Sequence, residues 1–143
     1  MMIHLEQLEL DGGSGTDIHD VTGRVAAAVE ASGVREGLVT VHAPGSTAGV
    51  TTIEYEPGVL ADLRAALERL APEGIAYAHD ARWGDGNGYA HVRAALLGPS
   101  LSLPVVEGRP LLGAWQQVVV VDFDNRPRRR RVLIQVLGDQ ARP

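Results

Sequence analysis

The sequence predicts a single α+β domain, and three observations carry that expectation. Apolar and polar residues alternate near the N-terminus, apolar residues recur at helical spacing in three segments, and the last third is β-rich. The chain of 143 residues shows no internal repeat, no low-complexity segment and no linker that would divide it, so one domain spans residues 1–143.

Residues 3–10, "IHLEQLEL", alternate as a half-buried strand does, and "DGGSG" follows as a loop. From Asp17 onward Ile18, Val21, Val25, Ala28 and Val29 recur at helical spacing, with Thr16 or Asp17 as N-cap and Gly33 as the stop. "GLVTVHA" (residues 37–43) is a strand, "PGST" a turn and "AGVTTIEY" another strand. Pro57 opens a second helix with Val59, Leu60, Leu63, Leu67 and Leu70 on its apolar stripe, and "APEG" ends it. "IAYAH" (residues 75–79) reads as a short strand leading into a loop, and a third helix covers residues 88–97. "LSLPVVEG", "LLGAWQQVVVVDFD" and "RRRVLIQVLG" are then β-rich, with "DNRP" as the turn of a closing antiparallel hairpin.

Composition narrows the function. The absence of cysteine excludes disulfides, thiolate metal sites and a cysteine nucleophile. No apolar run approaches the roughly 20 residues that span a bilayer. The N-terminus lacks a basic region followed by an apolar stretch, so a cytoplasmic protein without membrane attachment is expected. A net charge of −5 argues against a nucleic-acid partner, and two tryptophans, three tyrosines and one phenylalanine leave little for a base-stacking platform.

The densest chemistry lies in "AHDARWGDGNGYAHVRAALLG", residues 78–98. His79 ends an expected strand and His91 sits in the first turn of a helix. The small residues Ala94, Ala95 and Gly98 share the face of His91, so that face packs closely against something. Two imidazoles so placed can bind a divalent metal, although their separation is not a ligand spacing of the HExxH kind; alternatively each hydrogen-bonds a backbone carbonyl. Asp85 and Asn87 suit an N-cap, while the same glycine-rich approach to a helix suits a phosphate or carboxylate. Trp83 in that loop calls for partial burial or a ligand platform. Glu54, where a strand hands over to a helix, reads as a metal ligand or general base, or as a carboxylate favoured by the helix dipole.

"GSTAG" carries Ser46 and Thr47 but is no P-loop, which needs GxxxxGK[ST], and a Ser46 nucleophile would need a positioned base. In "RPRRRR", strand alternation sends Arg128 and Arg130 to one face and Arg129 and Arg131 to the other. One pair therefore faces the sheet interior, a neighbouring subunit or a ligand; the alternative is a solvated edge that discourages strand addition. Trp115 and Gln116 follow Gly113 at an expected strand start, where they could line the same cleft.

Together "STAGVTTIEYEP", "YAHDARWGDGNGYAHVRAALLGPSLSLPV", "GRPLLGAWQQ" and "DFDNRPRRRRV" resemble the YjbQ-like family, over residues 37–138. Members of this uncharacterised family are often labelled secondary thiamine-phosphate synthase enzymes. The resemblance implies a compact two-layer α+β fold with an antiparallel sheet, about three helices and a homotrimeric assembly with a polar pocket near a subunit boundary. It implies His79, His91 and Glu54 as catalytic residues and as ligands of a divalent metal, zinc or magnesium. Asn87, Asp85, Trp115, Gln116, Arg128, Arg130, Ser46 and Thr47 become substrate contacts. One position departs: many members carry a histidine in a "P-H-T-T-A" stretch, where this chain has Gly45. If that histidine completes a three-imidazole site, water, Glu54 or Asp85 must replace it here, since alternation aims His42 at the opposite face.

The function implied is a weak thiamine-phosphate synthase activity on phosphorylated small molecules. The usual enzyme for that reaction is a TIM barrel of roughly 250 residues, a fold this chain is too short to make. The competing expectations are a non-enzymatic trimer that binds a small anion or phosphorylated metabolite, and a small metal-dependent hydrolase.

Overall fold

The computed structural model describes residues 1–140. Eight strands form two antiparallel sheets. The larger sheet has the order β1-β8-β3-β5-β6, built from β1 (Met2–Gly12), β8 (Arg128–Gln140), β3 (Val34–His42), β5 (Ser100–Val106) and β6 (Arg109–Pro110). The smaller has the order β2-β7-β4, from β2 (Asp17–Asp20), β7 (Gln117–Asp122) and β4 (Ala48–Ile53). Four helices complete the described residues: α1 (Thr22–Ser32), α2 (Pro57–Leu70), α3 (Ala78–Trp83) and α4 (Gly88–Leu97).

Two hydrophobic cores fix the layering. In the first, Val39, Val41, Val132, Ile134 and Val136 of the large sheet meet Val50, Val118 and Val120 of the small one, with Val25 and Val29 of α1 alongside. In the second, Val119, Val121 and Phe123 leave the other face of the small sheet and pack on Leu60 and Leu67 of α2 and on Tyr89, Ala90 and Ala94 of α4. The expected two layers thus gain a third, of helices, and the helices number four. β7 explains why: its four consecutive valines are all buried, so the strand has no solvent face and needs cover on both sides.

Three other local expectations are corrected. The helix expected from Asp17 begins at Thr22 instead, because Asp17–Asp20 form β2, paired along Val119, Val120, Val121 and Asp122. Asp20 Oδ1 accepts from the Thr22 backbone N–H and hydroxyl, which turns the chain into the helix. Gly33 ends α1 as expected, at φ 72°. "IAYAH" contains no strand; Ala78 and His79 open α3, and the Tyr77 hydroxyl donates to the Pro72 carbonyl. The closing hairpin does not form, since β7 joins the small sheet while β8 crosses to the large one between β1 and β3. β8 alternates buried Arg130, Val132, Ile134 and Val136 with more exposed residues, the pattern of a strand covered on one face only.

The outer face of the large sheet keeps apolar residues in contact with solvent. Ile3 pairs with Leu137, Leu137 with Leu38, and Leu5 and Val106 lie on the same exposed face. No helix among the described residues is long and apolar enough to cross a membrane.

Candidate functional site

The polar cleft forms where the α3–α4 connection meets the β7–β8 connection. Gly84 and Gly86, at φ 66° and 68°, bend the chain between the two helices. Gly88 then starts α4 hard against α3: a Cβ there would lie 2.6 Å from Tyr77 Cβ. That approach brings His79 of α3 and His91 of α4 together, with ring centroids 4.4 Å apart and planes inclined by 42°.

Carboxylates orient the first imidazole. His79 Nδ1 lies 3.1 Å from Asp80 Oδ1 and 3.4 Å from Asp85 Oδ1. The same Asp80 oxygen accepts from the Gly88 N–H at 2.9 Å, and the Asp85 oxygen from the Asn87 N–H at 3.1 Å. Across the cleft Asn87 Oδ1 accepts from the Asn125 N–H, and Asn125 Nδ2 donates to the Asp85 carbonyl. Asn125 Oδ1 is enclosed with no hydrogen-bond partner.

Two cavities flank the imidazole pair. One of about 340 Å³ is lined by Asp85, Asn87, Asp124, Asn125, Arg126 and Arg128 among others. The other, about 200 Å³, lies between the loop of Gly45 and Ser46 and the small-residue face of α4, with His91, Ala94 and Ala95. The expectation that the His91 face packs closely holds at Ala94 alone, which is buried; Ala95 is exposed and the face borders this cavity.

Beneath both cavities runs a network of buried charge. Asp122, fully buried, accepts from Arg130 Nε at 2.9 Å and Nη2 at 3.0 Å. Arg130 Nη2 also donates to the Thr47 hydroxyl, which donates in turn to Asp124 Oδ2. Arg128 Nη1 pairs with that Asp124 oxygen at 3.1 Å. Burial pushes the Asp124 carboxyl up, but hydrogen bonds from Thr47, Arg128 and the Arg126 N–H, together with the Arg128 charge, hold it below the ordinary carboxylate value. Arg129 faces away, toward exposed Glu9 and Asp11, as strand alternation requires.

Of the residues singled out in the sequence, His79, His91, Asp85, Asn87, Ser46, Thr47, Arg128 and Arg130 gather here. Glu54, Trp115 and Gln116 do not. Glu54 lies beyond the far end of β4 from Ser46 and shares a separate cavity with Tyr55 and Trp115. Trp115 is 75% exposed, and Gln116 Nε2 donates to Thr52. The set His79, His91 and Glu54 is therefore not assembled within one chain. The donor atoms that converge among the described residues are those of His79, Asp80 and Asp85, all within 4.8 Å of one another. His42 is no substitute: its Nδ1 meets Ser100 Oγ at 2.5 Å across the β3–β5 pair.

Four residues escaped the sequence reading. Asp80 stands directly after His79, where an acid in the first turn of a helix suits the dipole and attracts no notice. Asp122 and Asp124 alternate at the end of an apolar run, and two acids entering a core do call for buried cationic partners. Asn125 gave no signal beyond its place in a turn.

Fold and cleft together define a class: small α+β proteins in which two packed antiparallel sheets and a helical layer support a polar cleft of small-molecule size. Within that class the chain belongs to the UPF0047 protein YjbQ-like family, whose model matches residues 6–139. A UPF0047 protein of Archaeoglobus fulgidus is 39% identical over 131 residues, covering 92% of this chain and 99% of the relative. A crystal structure of a YbjQ-like protein of unknown function from Sulfolobus solfataricus matches with TM-score 0.86 and 25% identity, over 96% of this chain and 100% of that one. A YjbQ/UPF0047 protein of Clostridium acetobutylicum matches with TM-score 0.85 and 32% identity, over 92% and 99%. The family is one of unknown function.

Proposed function

We propose that this chain is a cytoplasmic homotrimer whose cleft takes a small phosphorylated or anionic molecule beside a divalent cation held by His79, Asp80 and Asp85. The carrying observation is the convergence of one imidazole nitrogen and two carboxylate oxygens within 4.8 Å, with the His91 ring tilted against that of His79. The donor set fits the group: mixed nitrogen and oxygen ligands suit zinc, and carboxylates suit magnesium or manganese. Both carboxylates are held in place by backbone N–H groups, so little ordering remains for the cation to impose. A cation there would polarise a phosphoryl or carbonyl oxygen. Arg126 and Arg128 line the adjoining cavity, and Arg128, half exposed, pairs with Asp124 through Nη1 and keeps further donors for a phosphate.

The same cleft is where a weak thiamine-phosphate synthase activity would reside, with the arginines neutralising the departing diphosphate. A non-enzymatic binding role is favoured by one observation: Glu54, the expected base, lies at the other end of β4. The trimer is supported by the uncovered apolar face of the large sheet, which self-association would bury; sedimentation as a monomer would remove it.

The deciding experiment is elemental analysis of untagged protein purified without chelator, beside a His79→Ala/Asp85→Asn variant. Stoichiometric metal in the first and none in the second is expected. A metal-free protein after incubation with zinc, magnesium or manganese would refute the cation site. Turnover of phosphorylated substrates, including the thiamine-phosphate precursors, then separates enzyme from binding protein.

A further inference from the structure

We infer that Gly45 and the inner guanidinium nitrogen of Arg130 form a seat for a single oxyanion, so that the ligand enters the cleft headgroup-first on the Gly45 side. The proposal rests on the reading that this cleft takes a small anion, and deepens it by assigning the anion's place and its recognition.

Arg130 has donors to spare. A guanidinium carries five N–H groups. In Arg130, whose side chain is 3% exposed, Nε and Nη2 spend three of them on the two oxygens of Asp122 and on Thr47. The two N–H groups of Nη1 meet no acceptor among the described residues. A charged donor in so buried a side chain still needs an acceptor, which a ligand or water supplies where the atom stays accessible. Nη1 is accessible: among the described residues the enclosed, unpartnered side-chain atoms are His4 Nε2, His19 Nε2 and Asn125 Oδ1, and Nη1 is not one of them.

Gly45 supplies the space. A Cβ at this position would stand 3.3 Å from Arg130 Nη1, and that nitrogen is the one heavy atom within 4 Å of it. The backbone is at φ +116°, a conformation that residues with side chains rarely adopt, so the loop itself keeps the place empty. Gly45 and Ser46 also line the cavity of about 200 Å³ that ends on His91.

Charge then selects the ligand. Asp122 is occupied by the opposite edge of the guanidinium, and Asp124 is turned toward Thr47 and Arg128. The lining of the Gly45 cavity holds no carboxylate, whereas the neighbouring cavity holds Asp85 and Asp124 beside Arg126 and Arg128. On the Gly45 side an oxyanion meets Nη1 with no carboxylate in the lining, whereas on the Asp85 side carboxylates and arginines stand together. The cavity is smaller than the roughly 300 Å³ at which drug-sized pockets begin, which suits a headgroup rather than a whole cofactor. The ligand class is a small molecule with a terminal phosphate or carboxylate.

The test follows the Nε–Hε resonance of Arg130 in ¹⁵N-labelled protein, titrated with inorganic phosphate at ionic strength held constant with chloride, with acetate as a second arm. A saturable shift is expected in the wild type. Gly45→Ala should weaken phosphate binding at least tenfold, about 1.4 kcal/mol, and Ser46→Ala should weaken it several-fold. Response to phosphate alone assigns a tetrahedral headgroup; response to acetate as well assigns the broader oxyanion class. No saturable shift, or a Gly45→Ala protein that binds phosphate like the wild type, overturns the seat. If Gly45→Ala does not fold, Ser46→Ala decides, and unchanged affinity in it overturns the seat. The titration is repeated in His79→Ala/Asp85→Asn. Phosphate binding there, with no metal bound by the wild type, would sink the cation site and leave the seat; metal without phosphate binding would do the reverse.

Discussion

Replacing Asp122 with asparagine should be among the most damaging single substitutions in this protein. Asp122 is fully buried and receives two hydrogen bonds from Arg130, at 2.9 and 3.0 Å. An amide in place of this carboxylate would keep the shape but remove the charge, leaving a cation at 3% exposure without its bidentate partner. Breaking a buried pair from one side costs about 3–5 kcal/mol, because the surviving charge stays desolvated. Asp124 Oδ2 lies 3.8 Å from Arg130 Nη2 and offers partial compensation, which places the expected loss near the low end, about 3 kcal/mol. The assay is urea unfolding at pH 7 and fixed protomer concentration, compared with Arg129→Ala. Arg129 makes only exposed pairs, at 3.3 and 3.5 Å, and should cost no more than about 1 kcal/mol. The double variant Asp122→Asn/Arg130→Met should be less destabilised than the two single losses summed, since it leaves no orphaned charge. A loss below about 1 kcal/mol in Asp122→Asn would refute the reasoning, showing that water or Asp124 neutralises Arg130 unaided.

Three further outcomes are expected. Gly12→Ala should cost roughly 1–3 kcal/mol by overpacking, since a Cβ there would fall 2.0 Å from Asp122 Oδ2; an unchanged urea midpoint would contradict the close approach. Asp124 is held below its unfolded value, so it stabilises the fold above the ordinary carboxylate range and loses that contribution as pH falls through its depressed value. Thr47→Val removes one of the donors responsible and should move the acid-unfolding midpoint, read by circular dichroism, to higher pH. Glu54→Gln should leave the metal content of the purified protein unchanged, and loss of metal in that variant would place Glu54 back among the ligands.

The elements that could be read in the sequence are those whose signals are local. Pro57 at the start of α2, Gly33 at the end of α1 and the small-residue face of α4 act through their own backbone. β2 was hidden because Ile18, Val21 and Val25 fall at helical spacing by coincidence, and only pairing with β7 makes "DIHD" a strand. Partner choice likewise decided β7 and β8: the turn between them suits a hairpin, but one strand must be covered on both faces and the other on one. In the site, His79 and His91 announced themselves by bracketing a glycine-rich loop. Asp80 and Asp122 were silent because their meaning depends on what folds against them. Glu54 shows the limit from the other side: its residue type was right for a ligand, but the length of β4 carries it to the wrong end.

The strand order has a consequence for how the chain is made. β8, the last strand, lies inside the large sheet, between β1 and β3, and β7 is the centre of the small one. Neither sheet can close until the final third of the polypeptide has left the ribosome. Until then β1 and β3 present open edges with no mate, and the valine-rich core faces have no cover. Nascent chains truncated before residue 128 should therefore be strong clients of cellular chaperones. The full chain should fold slowly for its size, because its central contacts join residues far apart along the sequence.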